Sequence, residues 1–222
     1  MTSSYSAIVL VAGKGTRCDL PVNKVLYEVN GKAIFTYSLE VFLEDERCKK
    51  IIVVHSESDT LLVEKYLSKY MDKRIVTTLG GKERQNSVLK GLAKVDTEYV
   101  LVHDGARANI NRGLIDRVLE GFEKSDVVSP GVKVSDTIKK VTSKVETIDR
   151  SDLYYMQTPQ GSKVEVLKSC LEKAINDNIN VTDDLMAIEK YSNVIPKIVL
   201  GDKTNIKVTT LDDIELLKFY ME

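Results

Sequence analysis

Ala7-Ile8-Val9-Leu10-Val11 runs directly into Ala12-Gly13-Lys14-Gly15-Thr16-Arg17, and Lys24 follows seven residues later. The apolar run has the length of a buried strand. The glycines after it let the backbone turn tightly and bring N–H groups close to a polyanion with no Cβ in the way. Arg17 and Lys24 add fixed positive charge where a triphosphate would otherwise repel itself. The stretch therefore reads as a phosphate cradle at the end of a first strand. Two other glycine loops are excluded. A P-loop, G-x-x-x-x-G-K-[ST], needs glycine where Ile8 stands and Ser or Thr where Gly15 stands, and the dinucleotide fingerprint G-x-G-x-x-G fails at Cys18. On this stretch alone, a glycine-rich strand-to-helix turn with no ligand remains an equal reading.

Working outward, strand and helix signals alternate. Asn30-Gly31 marks a turn, and Ile34, Tyr37 and Val41 share one helical face at i, i+3, i+7. Ile51–Val54 reads as a second strand, Glu57 to Tyr70 as a polar helix, Arg74 to Thr78 as a third strand and, after Gly80-Gly81, Arg84 to Ala93 as a helix. Tyr99–Val102, a helix near Ile115 to Phe122 and Val127-Val128 complete a β-α-β-α-β-α-β-α-β series. That order implies a doubly wound, mainly parallel sheet with helices on both faces. Between about 133 and 155 the rhythm changes to short alternating stretches, Thr137-Ile138-Lys139 and Val145–Ile148, which read as a hairpin leaving the core. Helices at Val164 to Ala174 and Asp183 to Tyr191, strands at Val194 to Leu200 and Ile206 to Val208, and a Thr210/Asp213 capping box before a last helix finish the chain.

The whole composition suits one α/β domain over residues 1–222. With 222 residues, 43% of them hydrophobic, there is enough apolar surface for one large core, and no linker or repeat interrupts it. A net charge of −1 speaks against a nucleic-acid or anionic-membrane surface. Cys18, Cys48 and Cys170 have no metal-ligand or disulfide spacing. Met1-Thr2-Ser3-Ser4 has no basic leader character and no apolar run is long enough to span a bilayer, so a soluble, cytoplasmic protein is expected.

In such a sheet, ligands sit beyond the carboxyl ends of the strands, where the glycine loop, Gly80-Gly81 and Asp104 converge. Asp104 suits a metal ion or a sugar hydroxyl, and equally a turn cap. Lys207, in Asn205-Ile206-Lys207-Val208-Thr209, reads as a strand lysine whose charge needs a partner, and a substrate phosphate would serve. Arg150 closes the hairpin. His55 and His103 each end a strand with no Ser or Cys nucleophile beside them, and read as structural.

The motifs taken in order are Val11-Ala12-Gly13-x-Gly15-x-Arg17 with Asn23-Lys24, Gly80-Gly81-x-Glu83-Arg84-Gln85-x-Ser87-Val88, Val102–Arg107, Asp136–Lys139, Gln157-Thr158-Pro159-Gln160, Thr182-Asp183-Asp184 and Thr204–Thr209. Together they resemble the 2-C-methyl-D-erythritol 4-phosphate cytidylyltransferase family of the non-mevalonate isoprenoid pathway, from residue 7 to about 221. The resemblance implies a Rossmann-like nucleotidyltransferase fold and transfer of CMP from CTP to the polyol phosphate. It assigns Arg17, Lys24 and Lys207 to catalysis, and Ala12, Gly13, Gly15, Gly81, Ser87 and Asp104 to CTP. Asp104, Arg107, Thr137, Arg150 and Thr158 fall to the polyol phosphate. Mg²⁺ or another divalent cation is implied on the CTP phosphates, with Asp104 as a candidate ligand. Thr137 and Arg150 lie on an arm that, by the resemblance, reaches a neighbouring subunit, so a homodimer is implied.

Departures from the family pattern are Val11, Val22-Asn23, Lys82 and Ala108, none of which removes an assigned charge. Ribitol-5-phosphate cytidylyltransferase is the nearest alternative, against which stands the wording of Glu83-Arg84-Gln85 and Asp104–Arg107. A non-catalytic nucleotide binder on the same scaffold has no use for Arg17, Lys24, Arg150 and Lys207 together.

Overall fold

The computed structural model describes residues 4–13 and 23–221. Its centre is an eight-stranded sheet built on the opening strand, β1 (Tyr5–Leu10). A two-residue pair, β2 (Glu28–Val29) and β3 (Lys32–Ala33), follows, joined through Asn30 and Gly31 at φ of 50° and 77°. These are the backbone angles that an Asn-Gly hairpin turn supplies. Then come α1 (Ile34–Glu44), β4 (Cys48–His55), α2 (Thr60–Leu67), β5 (Ile75–Leu79), α3 (Arg84–Leu92), β6 (Tyr99–Asp104), α4 (Arg112–Gly121) and β7 (Val127–Lys133). The second half holds β8 (Ile138–Val141), β9 (Val145–Ile148), β10 (Tyr154–Met156), β11 (Gln160–Lys163), α5 (Val164–Asn176), α6 (Asp184–Tyr191), β12 (Lys197–Leu200) and α7 (Leu211–Met221).

The sheet order is β10-β7-β11-β6-β1-β4-β5, with β12 beside β7. β6, β1, β4 and β5 run parallel, whereas β11 lies antiparallel between β6 and β7. The mainly parallel, doubly wound expectation holds with this antiparallel insertion. From β1 the chain winds to β4 and β5 on one side and returns to β6 on the other. Leu10 of β1 pairs with Asp104 of β6 at that switch, the place where open α/β sheets bind ligands.

Alternation along the strands explains the continuous apolar runs. Ala7, Val9, Ile51, Val53 and Leu101 pack on one face with Phe35, Leu39 and Phe42 of α1, Val63 and Leu67 of α2 and Ile115 and Val118 of α4. Ile8, Ile52, Val54, Val100 and Val102 face the other way, against Val88 of α3, Leu167 and Leu171 of α5 and Ile188 of α6. Both faces are covered, so neither needs polar residues.

Four expectations change. The core stripe of α1 is Phe35, Leu39 and Phe42, while Ile34 and Tyr37 pack into a separate cluster with Val208, Ile214 and Leu217, because two sides of this helix are covered. The long polar helix is a short 3-10 turn (Glu57–Asp59) followed by α2. β12 begins at Lys197 rather than Val194. Ile206–Val208 is not a strand; Val208 is buried and donates its N–H to the Ala106 carbonyl (2.9 Å). The hairpin stands where expected, with β8 and β9 pairing only with each other, while Tyr154 and Tyr155 already belong to β10 in the main sheet.

Candidate active site

The strand ends beneath the crevice are stitched together by backbone bonds. Val11 N–H donates to Val54 O (2.7 Å), Gly80 N–H to His55 O (2.7 Å) and Gly105 N–H to Leu10 O (2.9 Å). Gly80 is required by close approach: a Cβ there would lie 2.7 Å from the Ala12 Cβ. At Gly13, by contrast, a Cβ would meet nothing within 4 Å among the described residues. Gly15 and Arg17 lie outside the described residues, as does Cys18.

Lys24 is placed by its neighbour. Asn23 donates through Nδ2 to the Val11 carbonyl (2.9 Å) and to Asp59 (2.9 Å), and its Oδ1 accepts from Val25 N–H (3.4 Å). Lys24 therefore opens a 3-10 turn (Lys24–Leu26) tied to the end of β1.

On the neighbouring strand, paired with Leu10 of β1, Asp104 closes β6 within a line of alternating charge. Lys207 Nζ lies 2.6 Å from one carboxylate oxygen, Arg84 Nε lies 3.7 Å from the other, and Arg84 grips Asp184 bidentately at 2.7 and 3.0 Å. Burial works to raise the Asp104 pKa, but Arg84, Lys207 and Arg107 outweigh it and hold the carboxyl well below the usual range. For Arg84, burial is likewise overcome by Asp184 and Asp104, and its pKa is raised.

The floor under Asp104 is polar and ordered. His103 Nε2 and the Arg107 carbonyl are 3.0 Å apart, and a carbonyl only accepts, so Nε2 carries the proton. Nδ1 is then the acceptor for the Thr158 hydroxyl (3.0 Å), whose oxygen accepts from Asp104 N–H (3.1 Å). Desolvation lowers the fully buried imidazole to a pKa of about 4, so it is neutral at pH 7. Asn205 donates to Thr158 O (2.9 Å), and Arg107 donates to Asn205 O (2.8 Å) and Met156 O (3.2 Å). Arg107 Nε and Asn205 Oδ1 are buried and find no hydrogen-bond partner among the described residues.

A family model described as 2-C-methyl-D-erythritol 4-phosphate cytidylyltransferase matches residues 5–222. The chain belongs to that family. A protein of that name from Clostridium novyi is 37% identical over 99% of this chain and 97% of its own. The crystal structure of 4-diphosphocytidyl-2C-methyl-D-erythritol synthase from Anaerococcus prevotii superposes with a TM-score of 0.88 at 28% identity, covering 99% of this chain and 96% of that one. The Francisella tularensis cytidylyltransferase gives 0.82 at 30% identity, covering 98% and 99%.

Within this cytidylyltransferase fold, the predicted residues divide. Asp104, Lys207, Arg107 and Thr158 come together around the end of β6, and Ala12, Gly13 and Lys24 adjoin the end of β1. Lys207 differs from its expectation: it projects from a loop, not a strand, and its partner is Asp104. Thr158 sits beneath Asp104, with its hydroxyl engaged there. Gly81 follows β5, two strands beyond β1, and its N–H donates to Ser87 Oγ (3.0 Å), which donates to Glu83 O (3.2 Å). Thr137 and Arg150 are exposed at the base of the β8–β9 hairpin, where Arg150 donates to Ser135 O, and no hydrogen bond or ion pair among the described residues joins them to Asp104. Arg84 and Asp184 carried no assigned role, although both stand in the quoted motifs. The local trace of the pair is Asp183-Asp184 at the start of α6, where Asp183 caps the helix and Gln160 takes Asp184 N–H (3.1 Å).

Proposed function

We infer that the protein transfers CMP from CTP to 2-C-methyl-D-erythritol 4-phosphate, releasing pyrophosphate by attack of the substrate phosphate on the CTP α-phosphate. The observation that carries the mechanism is the Lys207–Asp104–Arg84 line at the switch point between β1 and β6. The attacking phosphate monoester is already anionic near neutral pH, so no proton acceptor is needed. His103 agrees: both of its nitrogens are engaged within the floor, and it is neutral and buried. The barrier lies in bringing two polyanions together, which Arg17, Lys24 and Lys207 lower by electrostatic preorganisation.

Mg²⁺ or another divalent cation enters this reading on the triphosphate. Both oxygens of Asp104 already face cations, and among the described residues no group of three His, Cys, Asp or Glu side chains could hold a metal. Asp104 becomes available to a metal on the triphosphate, or to a ribose or polyol hydroxyl, only when Lys207 turns from it. The hairpin carrying Thr137 and Arg150 supplies polyol-phosphate contacts to the neighbouring site of a homodimer. No helix among the described residues is long and apolar enough to cross a membrane. We place the enzyme in the cytoplasm, where Cys48 and Cys170, buried and unpaired, stay reduced.

The test is a paired assay. With CTP and Mg²⁺, methylerythritol phosphate should drive pyrophosphate release and ribitol 5-phosphate should do so poorly; the opposite preference would move the assignment to the ribitol enzyme.

A further inference from the structure

Arg84 is an unusual residue to open a helix. It is the first residue of α3, where the helix dipole disfavours a cation. Its guanidinium is nevertheless held in a fork by Asp184, itself only 2% exposed, in the first turn of α6, where a carboxylate is favoured. The Arg84 side chain is itself partly exposed, and an ion pair that takes a carboxylate out of water is a poor source of stability compared with apolar packing, so this one is better explained by what it positions. The fork occupies both terminal nitrogens and turns Nε toward Asp104 Oδ1 at 3.7 Å, beyond hydrogen-bond length and within Coulombic reach. Gln160 braces the anchor from β11 by accepting from Asp184 N–H and donating to Asp183 (2.9 Å).

The other oxygen of Asp104 holds Lys207 at 2.6 Å. A lysine neutralised by that contact serves phosphates less strongly, so turnover gains when Lys207 turns from Asp104 toward them. Were Lys207 the sole counter-ion, Asp104 would hold it more tightly.

We propose that Arg84, clamped by Asp184, is a positioning residue that stays with Asp104 and so frees Lys207 to turn to the substrate phosphates. This rests on the cytidylyltransferase reading. The effect belongs to kcat, because it concerns a lysine redeployed after substrate binds.

The test is a mutant cycle on the full chain, reading pyrophosphate release with CTP, Mg²⁺ and methylerythritol phosphate. Arg84→Met is expected to lower kcat about tenfold or more while changing KM for CTP less than about threefold. In an Asp104→Asn background the same change should add less than about twofold, because nothing remains to anchor. Asp184→Asn should lower kcat in the same direction, and lose that effect once Arg84 is Met. If Arg84→Met does not fold, Arg84→Lys, which keeps the charge without the fork, takes its place in the cycle with an expected fall of about threefold or more. Effects that multiply independently of Asp104, or that fall on KM alone, overturn the proposal. A wild-type protein that releases no pyrophosphate from these substrates overturns the cytidylyltransferase reading instead.

Discussion

The floor beneath Asp104 and the β8–β9 hairpin are built on opposite principles. Beneath Asp104, His103, Thr158, Asn205 and Asp184 are each at most 5% exposed and held by directed hydrogen bonds or the Arg84 fork. In the hairpin, Ile138 pairs with Ile148 and Val141 with Val145, yet Val141 and Val145 are 70% and 66% exposed, and among the described residues no strand outside the pair extends it. A lone two-stranded hairpin is marginal in water. The contrast teaches that hydrogen bonds and ion pairs within this chain position Asp104 and its cations, whereas the exposed hairpin has few such ties; we propose that the neighbouring subunit supplies the surface against which Thr137 and Arg150 are fixed.

That contrast can be broken most severely from the core side. Phe42 is fully buried and meets the edges of Tyr5 and His103, with ring centroids 6.4 and 5.7 Å away. Phe42→Ala should cost about 3–5 kcal/mol in denaturant unfolding; a loss under about 1 kcal/mol would mean that the floor does not rest on this packing.

A smaller effect comes from acid. His103 is lowered to a pKa of about 4 from 6.5, so the unfolded chain takes up a proton that the native one refuses. Its contribution is present above pH 6.5 and is lost as pH falls toward 4, amounting to roughly 2 kcal/mol between pH 7 and pH 5. Urea unfolding at both pH values should show that much less acid sensitivity in His103→Gln than in wild type. Equal sensitivity would contradict a buried neutral imidazole.

The hairpin should respond least. Arg150→Ala is expected to change stability by no more than about 0.5 kcal/mol, since its side chain is exposed. Its consequence should fall on activity. Arg150→Ala and Lys24→Ala subunits, each impaired alone, should recover partial activity on mixing if the hairpin serves a neighbouring site. No recovery after demonstrated subunit exchange would place both residues in one chain's site.

Legibility in the sequence followed the same division. β1, β4 and β6 were readable because strands buried on both faces must be continuously apolar. β11, Gln160-Gly161-Ser162-Lys163, carries no such signal; it is a strand because Gly161 lets it press onto Leu101, Val118 and Phe122, all within 2.9 Å of where a Cβ would stand. The β-branched look of Ile206–Val208 suggested a strand, but these residues serve a loop whose buried member packs against α7. The signature motifs carried Lys24, Asp104 and Lys207 to the crevice. The Arg84–Asp184 contact spans 100 residues and leaves no periodicity to read.

The central claim is that Lys207, stored on Asp104, acts on phosphate during CMP transfer. Lys207→Ala should lower kcat/KM for pyrophosphate release by about a hundredfold or more, some 2–4 kcal/mol of transition-state stabilisation. Unfolding free energy should move by no more than about 1 kcal/mol, because the lysine is substantially exposed. A variant that turns over at the wild-type rate would contradict the account.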